Sequence, residues 1–479
     1  MKKILIVGSG ASGLVAALSF AKQNISFDII EKLSVRSKES KALSLNSASL
    51  KLFHSLGVID DVMKKGKSMK DIYIYMNGKK ISHIDKSRLD NRYNFFITLP
   101  QYITEDILEK KLHTYNVYIK YGHALTSLQK KGSSYIVSID EDGKTSKTKY
   151  DYIIAADGKS SSVKSILNVD SVKYDYGYRF CVADIKLKTE LKKSTIHYHI
   201  NDKIPGFSII LPMLSEYTRV VLCSKRDLPT NIDLPYIESF LRESTGDSCL
   251  TLQCISWQSS TKFHHSICSN HLSDNIFFVG DAYHIFSPIG GMGMNTGMQD
   301  SLRISWIIAH IIQGIAKKSL LTLYTKDRYK EVLDILDLTY THTNMILKKG
   351  DYEQSEIYDT NFSNRKHIKT TLPLIFSGYS SNYSAAISND GGLIQHAKYL
   401  EFDKTNTFSL LSKSKYLLIL NKKSNAPSLS HIGVIVILFS GKVREDEYIL
   451  ISPDSMIVLH EKLYKLNKVN DYLDTYYYA

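Results

Sequence analysis

The run Ile4-Leu5-Ile6-Val7-Gly8-Ser9-Gly10-Ala11-Ser12-Gly13 decides the fold. Four consecutive β-prone apolar residues read as a strand buried on both faces, the habit of a parallel sheet. The glycines end it, and Leu14, Ala17, Leu18 and Ala21 then recur at helical spacing. Phe27-Asp28-Ile29-Ile30 is a second strand, finishing at Glu31 with Lys32 beside it. Strand, glycine turn, helix, strand and acid is the order that dinucleotide binding requires. Gly8 permits the tight turn, Gly10 lets a diphosphate approach the backbone, and Gly13 lets the helix pack on the strand. Free N–H groups at the helix start, around Ala11 and Ser12, meet the phosphates with the positive end of the dipole. Glu31 can accept from a ribose hydroxyl. A G-x-G-x-x-G pattern alone also fits an ordinary glycine-rich turn; the flanking strand, helix and acid separate the two readings.

Farther on the chain abandons regular β-α-β units, which argues against a plain nicotinamide dehydrogenase. Residues 72–76 alternate, turn at Asn77-Gly78 and resume at Lys80-Ile81, a hairpin by pattern and turn chemistry. A second meander is read from residues 135–139 through Asp142-Gly143 to 152–156, with a helix expected over 105–112. Residues 180–187, 194–200, 207–211 and 219–223 read as strands. Tyr178, Phe180, His197, Tyr198, His199, Phe207, Pro212 and Met213 are pocket or core candidates, with core the blander reading for each. His264-His265 reads as a partly exposed pair rather than a metal site.

Bulk properties narrow the classes. A chain of 479 residues, 43% hydrophobic and 23% charged, can build two or three domains with sizeable cores. The formal charge of +13 is spread along the chain, so a nucleic-acid role is disfavoured. Five cysteines without a C-x-x-C pair or a neighbouring His cluster read as reduced core thiols, with no metal site. Lys2-Lys3 before an apolar stretch imitates a signal peptide, but three glycines interrupt it. No apolar run reaches the ~18 residues of a membrane span. A cytoplasmic protein without an integral membrane segment is expected.

Two later segments carry a family resemblance. Ala155-Ala156-Asp157-Gly158-Lys159-Ser160-Ser161-Ser162-Val163-Lys164 resembles the G-A-D-G-x-x-S-x-V-R segment of FAD-dependent aromatic hydroxylases related to para-hydroxybenzoate and phenol hydroxylases. Gly280-Asp281-Ala282-Tyr283-His284 followed by Pro288-Ile289-Gly290-Gly291-Met292-Gly293-Met294-Asn295 is similar to the same family's G-D-A-A-H-x-x-x-P-x-x-G-x-G-M-N. The residues agree with the resemblance. An apolar strand ending in Gly280-Asp281 places a carboxylate at the C-terminal edge of the sheet, where open α/β folds bind ligands. Gly290, Gly291 and Gly293 expose backbone N–H groups at the start of a helix expected over 294–309, suited to the negative charge of a reduced flavin. Ser40-Lys41-Ala42-Leu43 stands for the family's S-R-A-I/V stretch and Gln101 for a flavin-contacting glutamine. Lys41 loses the fork of arginine, Ala48 falls where relatives carry a second arginine, Tyr283 replaces a small residue and Lys164 replaces an arginine.

The resemblance implies an α/β protein: a Rossmann-type FAD-binding domain with an inserted, mostly β substrate domain and a C-terminal thioredoxin-like α/β domain. The FAD-binding domain would comprise residues 1–70, 98–175 and 270–350, the substrate domain 71–97 and 176–269, a linker 351–370, and the thioredoxin-like domain 371–479. Cofactor contacts are expected from Gly8, Gly10, Ala11, Ser12, Gly13, Glu31, Lys32, Lys41, Gln101, Asp157, Gly158, Gly280, Asp281, Pro288, Gly291, Gly293, Met294 and Asn295. The implied activity is hydroxylation of a small aromatic, phenolic or polyketide-like ring with FAD, NADPH or NADH as a transient co-substrate, and O2, through a flavin C4a-hydroperoxide. The cofactor carries that chemistry, and no catalytic side chain is assigned. A homodimer is allowed for. A flavin-dependent reductase or dehydrogenase of a quinone or isoprenoid, and a non-catalytic flavin-binding protein, are the alternatives.

Overall fold

The computed structural model describes residues 2–347 except 89–91, 189–193, 202–205, 225–227, 230–231 and 270–271, and then residues 416–421, 434–439, 447–454, 457–462 and 467–477. The linker expected over 351–370 lies outside the described residues.

β1 (Ile4–Val7) is wholly buried and runs into α1 (Ala11–Lys22) and β2 (Phe27–Glu31). All of α1 except Ser12 and Lys22 is buried, so it is apolar around its circumference and sits between layers. Burying Leu14 or Leu18 there contributes about 1.5–3 kcal/mol each. α2 (Ser47–Leu56), capped by the Asn46 side chain on the Ser49 N–H at 3.0 Å, follows. β3 (Asp71–Met76) and β4 (Lys79–Asp85) form the expected hairpin, with Asn77 and Gly78 both at positive φ. α3 (Gln101–His113) begins four residues before the expected 105, directly after Pro100.

The second meander is corrected by the structure. β5 (Ser134–Glu141) returns through Asp142-Gly143 into β6 (Lys144–Tyr150), a polar strand, not into residues 152–156. β7 (Tyr152–Ala155) instead joins the main sheet, parallel to β1. The Lys/Thr/Ser composition of β6 hid it, while the apolar run of β7 drew the hairpin reading to the wrong partner.

β8 (Ser171–Leu187), β9 (Thr195–Asn201), β10 (Gly206–Pro212) and β11 (Tyr217–Ser224) build the inserted sheet. α4 (Leu234–Thr245) covers one face, with Ile237, Phe240 and Leu241 packed on Cys181, Ala183, Ile210, Val220 and Leu222. β12 (Leu252–Cys268) pairs antiparallel with β8 along its length. The eight strands run residues 284–285, β12, β8, β11, β10, β9, β3, β4. β13 (Ile276–Phe278) returns to the main sheet beside β7, in the order 272–273, β13, β7, β1, β2, 120–121. α5 (Gly293–Ile312) and α6 (Tyr329–Leu347) complete this part.

In the C-terminal region β14 (Tyr416–Asn421) lies parallel to β15 (Val434–Phe439) and antiparallel to β16 (Glu447–Ile451), which pairs with β17 (Ile457–Lys462). α7 (Asn467–Tyr476) follows. This α/β layer shares one core with α1 and α5: Tyr416, Leu418, Tyr448 and Leu473 cluster with Trp306 and Ile307. The Trp306 and Tyr416 rings are 6.0 Å apart, and His310 Nδ1 lies 2.8 Å from the Tyr477 hydroxyl.

Candidate active site

A cleft of about 990 Å³ runs from the carboxyl ends of β1 and β2 to the inner face of the eight-stranded sheet. Its first part is the glycine turn. Gly8 has φ +99°, and a Cβ there would lie 2.4 Å from the Ala156 carbonyl oxygen. A Cβ on Gly13 would lie 2.0 Å from the Gly8 oxygen, so Gly13 allows helix to pack on strand as its position predicts. Gly10 is different: the nearest atom to a Cβ there is Glu105 Oε1, 3.8 Å away. Its missing side chain leaves space on the cleft side, the room a diphosphate takes. No side chain of Gly10 caps α1 and its first turn holds no acid of its own, so the amide dipole there faces the cleft. Glu31 is held by the Ser9 N–H at 2.9 Å, the Ser9 hydroxyl at 3.1 Å and the Leu33 N–H at 3.1 Å, which fixes its carboxylate for a ribose.

The middle of the cleft carries the two Gly/Asp segments. Asp157 Oδ2 accepts from the Ser162 hydroxyl at 3.0 Å and the Val163 N–H at 3.2 Å, and its buried Oδ1 has no partner among the described residues. Gly280, at φ +58°, is so close to α1 that a Cβ would meet Ser12 Oγ at 2.6 Å. Asp281 is accessible to the cleft yet enclosed by its walls, and this burial pushes its carboxyl up while His284 and the Lys159 and Lys41 charges pull it back. The start of α5 has no side-chain cap. A flavin dinucleotide fits these residues: a helix N-terminus and Gly10 for the diphosphate, Glu31 for a ribose, and Asp157, Asp281 and the uncapped α5 around the ring end.

Of the eighteen cofactor residues expected, all but Gly13 and Asn295 line the cleft. Gly13 acts behind it. Asn295, expected as a contact, is instead a buried brace: its Nδ2 donates to the Ser44 and Gly291 carbonyls at 2.8 and 2.7 Å, and its Oδ1 accepts from the Asn46 N–H at 3.0 Å. Gln101 donates to Glu105 at 2.8 Å and accepts from the Ala42 N–H at 3.2 Å, pinning the loop that carries Lys41. Lys41 itself is exposed and pairs with Glu39 at 3.1 Å.

The far part of the cleft has an apolar wall of Ile72, Phe96, Val182, Ile196, Ile209, Leu211, Val221 and Phe263; Tyr198 and His264 line it too, and Arg219, Gln258, Ser259, Thr261 and Lys262 are further polar residues that the same sheet gives to the cleft. Burial pushes the Tyr198 hydroxyl up to about 12, with the Gly290 backbone opposing it. Of the eight residues between 178 and 213 read as pocket or core candidates, Tyr198 lines the cleft. Phe180 and Phe207 are core, while His197 and His199 stack on Tyr75 on the opposite face. His264 and His265 part company: the first lines the cleft, and the second is buried, 2.7 Å from the Tyr176 hydroxyl.

Several site residues escaped the sequence reading. Arg219 forms a bidentate pair with Asp184 at 2.5 and 3.0 Å, and donates to the Ser40 carbonyl and hydroxyl at 2.5 and 2.6 Å and to the Lys41 carbonyl at 2.5 Å. Its guanidinium carbon lies 5.0 Å from the Trp257 ring centre. It thus ties the roof sheet to the loop at the cleft's mouth. Glu105 lies beside Gly10 and is pushed up by burial, with Gln101, Lys41 and the Ala11 backbone opposing. Gly297, whose Cβ would stand 2.7 Å from Gly280 Cα, lets α5 press on that turn. A glycine inside a helical pattern was the available signal.

Residues 1–339 match the FAD binding domain family, and the chain belongs to it. The chain is 25% identical over 349 residues to 6-methylpretetramide 4-monooxygenase of Streptomyces rimosus, an alignment covering 72% of this chain and 62% of the relative. It is 27% identical over 361 residues to pentachlorophenol 4-monooxygenase of Sphingobium chlorophenolicum, covering 72% and 65%. The matched part is therefore under two thirds of either relative's length. Among solved structures the fold is similar to OxyS anhydrotetracycline hydroxylase from Streptomyces rimosus, with TM-score 0.78, 18% identity and coverage of 100% of this chain and 99% of that one. It is also similar to CabE, an aromatic hydroxylase from angucycline biosynthesis, with TM-score 0.74, 19% identity and coverage of 99% and 98%.

Proposed function

We propose that the chain is an FAD-dependent monooxygenase that takes electrons from NADPH or NADH and uses O2 to hydroxylate a small aromatic, phenolic or polyketide-like ring. One observation carries the reading: the dinucleotide site opens without interruption into an apolar pocket under the eight-stranded sheet. Bound FAD would supply the redox and oxygen chemistry. The chain's own residues bind, orient and exclude water. Gly10 and the α1 N-terminus would receive the diphosphate, Glu31 a ribose, and the uncapped amides of α5 would favour negative charge at the ring end. Ile72, Phe96, Ile196, Ile209, Leu211 and Val221 form a wall that keeps water from the reacting face. His264, pushed down by burial and Lys173, can accept a proton from a ring hydroxyl. The names of the two relatives, 6-methylpretetramide 4-monooxygenase and pentachlorophenol 4-monooxygenase, support the same class.

A reductase would leave molecular oxygen out of its product. Turnover under 18O2 with a panel of phenols and polycyclic phenolic ketones, read by mass spectrometry, separates the two: one labelled oxygen per product is expected, and an unlabelled product would sink the proposal. A cytoplasmic location fits the five unpaired cysteines, and no described helix is long and apolar enough to cross a membrane. A homodimer is part of the proposal, to be tested by sedimentation.

A further inference from the structure

We infer that Asp454, in the C-terminal region, is a positioning residue for the Gly280–Asp281 turn of the cleft and acts on it through a buried chain of ion pairs. The inference rests on reading the cleft as an FAD site. At the near end, Asp300 Oδ2 accepts from the Gly280 N–H at 3.0 Å and lies 2.7 Å from His284 Nε2. Its other oxygen accepts from Arg328 Nε at 2.6 Å. Arg328 also donates to the Thr296 carbonyl of α5 at 3.0 Å and to Glu331 at 2.5 Å. Glu331 lies 3.6 Å from Arg303, and Arg303 pairs with Asp454, whose Oδ1 accepts from the Ser452 hydroxyl at 2.6 Å. Every charged side chain in the series is at most 9% exposed.

The series holds three carboxylates, two guanidiniums and one imidazole. Without Asp454, Arg303 has Glu331 as its remaining carboxylate in the series, and it would draw Glu331 from Arg328. Arg328, no longer braced by Glu331, would then change its orientation against Asp300, and Asp300 is what fixes the amide of Gly280, a residue in the left-handed region. A purely structural role is a poor account of these charges. The apolar contacts of Trp306, Tyr416 and Leu418 already join the two parts, and buried ion pairs add little net stability over apolar substitutes.

The test uses the full chain with Asp454→Asn, Asp454→Glu and the double variant Arg303→Met with Asp454→Leu. FAD dissociation constants come from flavin fluorescence, and the melting temperature of each apoprotein and the visible spectrum of bound FAD are recorded beside them. Asp454→Asn should weaken FAD binding about three- to thirtyfold and shift the visible band, with Asp454→Glu recovering most of the affinity. The double variant removes Arg303 together with its partner and so leaves Glu331 on Arg328; it should melt near the parent temperature and recover most of the parent FAD affinity. Weak FAD binding in a folded double variant, or parent affinity in a folded Asp454→Asn protein, would overturn the inference while leaving the FAD reading intact. A parent protein that does not bind FAD would overturn both.

Discussion

Replacing Arg219 by Met is expected to cost more stability than any other single change in the cleft's roof. Arg219 and Asp184 are 3% and 5% exposed, so the substitution strands a buried carboxylate. Breaking such a pair from one side costs about 3–5 kcal/mol, a large part of the roughly 5–15 kcal/mol that holds a domain folded. Adding Asp184→Leu removes the stranded charge, and the pair is then expected to lie within about 1–3 kcal/mol of the parent. The remainder reflects the Ser40 and Lys41 carbonyls, which lose charged donors worth about 1.5–3 kcal/mol each but turn partly to water. Urea unfolding of the apoproteins gives the three stabilities, and FAD titration reports whether the 40–41 loop still closes the cleft's mouth. The double variant should therefore be well folded and bind FAD less tightly. A single variant that loses under about 1 kcal/mol, or a double variant as unstable as the single, would refute the argument that this is a buried, bidentate pair.

Gly10→Leu should leave the apoprotein's melting temperature nearly unchanged, since a Cβ meets nothing closer than 3.8 Å, yet abolish FAD uptake. Gly13→Val should instead give little soluble protein, because its Cβ would press on the Gly8 carbonyl; soluble yield and flavin content distinguish the two. Glu105→Gln keeps the shape beside the α1 amides and removes a carboxyl that burial pushes up; FAD should bind up to about tenfold tighter at pH 8, and weaker binding would show that the carboxylate helps. His199 and His265 are lowered by burial from 6.5 to about 4, so the unfolded chain takes up more protons between those values. Stability is then full above about pH 6.5 and falls as the pH drops toward 4, by up to about 3 kcal/mol for each histidine. His199→Phe, which can keep the stack on Tyr75, should flatten the melting-temperature profile over that window; parallel profiles would clear the histidine.

Legibility in the sequence followed the range of the interactions. The glycine turn, Glu31 and the two Gly/Asp segments could be read because each rule there is local: a backbone angle, a helix end, a carboxylate at a strand's edge. Arg219 could not, since its partners Ser40 and Lys41 lie 179 and 178 residues away and nothing in a strand's alternation says what its polar members will meet. β12 was missed because its Gln, Ser, Thr, Lys and His residues leave no apolar alternation, although it pairs along the whole of β8. The Asn295 side chain turns to the Ser44 and Gly291 carbonyls, which the sequence could not show, because an amide suits a ligand and a backbone carbonyl equally well.

The departures from the family pattern gave the non-catalytic alternative its ground, and the structure shows how little of the cleft they touch. Lys41 stands where relatives have arginine, but its ammonium is exposed and paired with Glu39. What holds the loop is Arg219 grasping the backbone carbonyls of residues 40 and 41, which any amino acid supplies. Lys164 still reaches the Ala282 carbonyl at 3.5 Å, so a cation remains behind the 280–282 turn. Ala48 is half-buried on α2 and is not among the residues lining the cleft. Tyr283 is buried in the core beneath the turn, with Phe278 and Phe286, so its bulk fills space behind the cleft and not within it. Loss of function through these four positions would have to act on electrostatics at the cleft's mouth and not on the frame that holds FAD. Weak reduction by NAD(P)H combined with tight FAD binding is the one form in which that alternative survives.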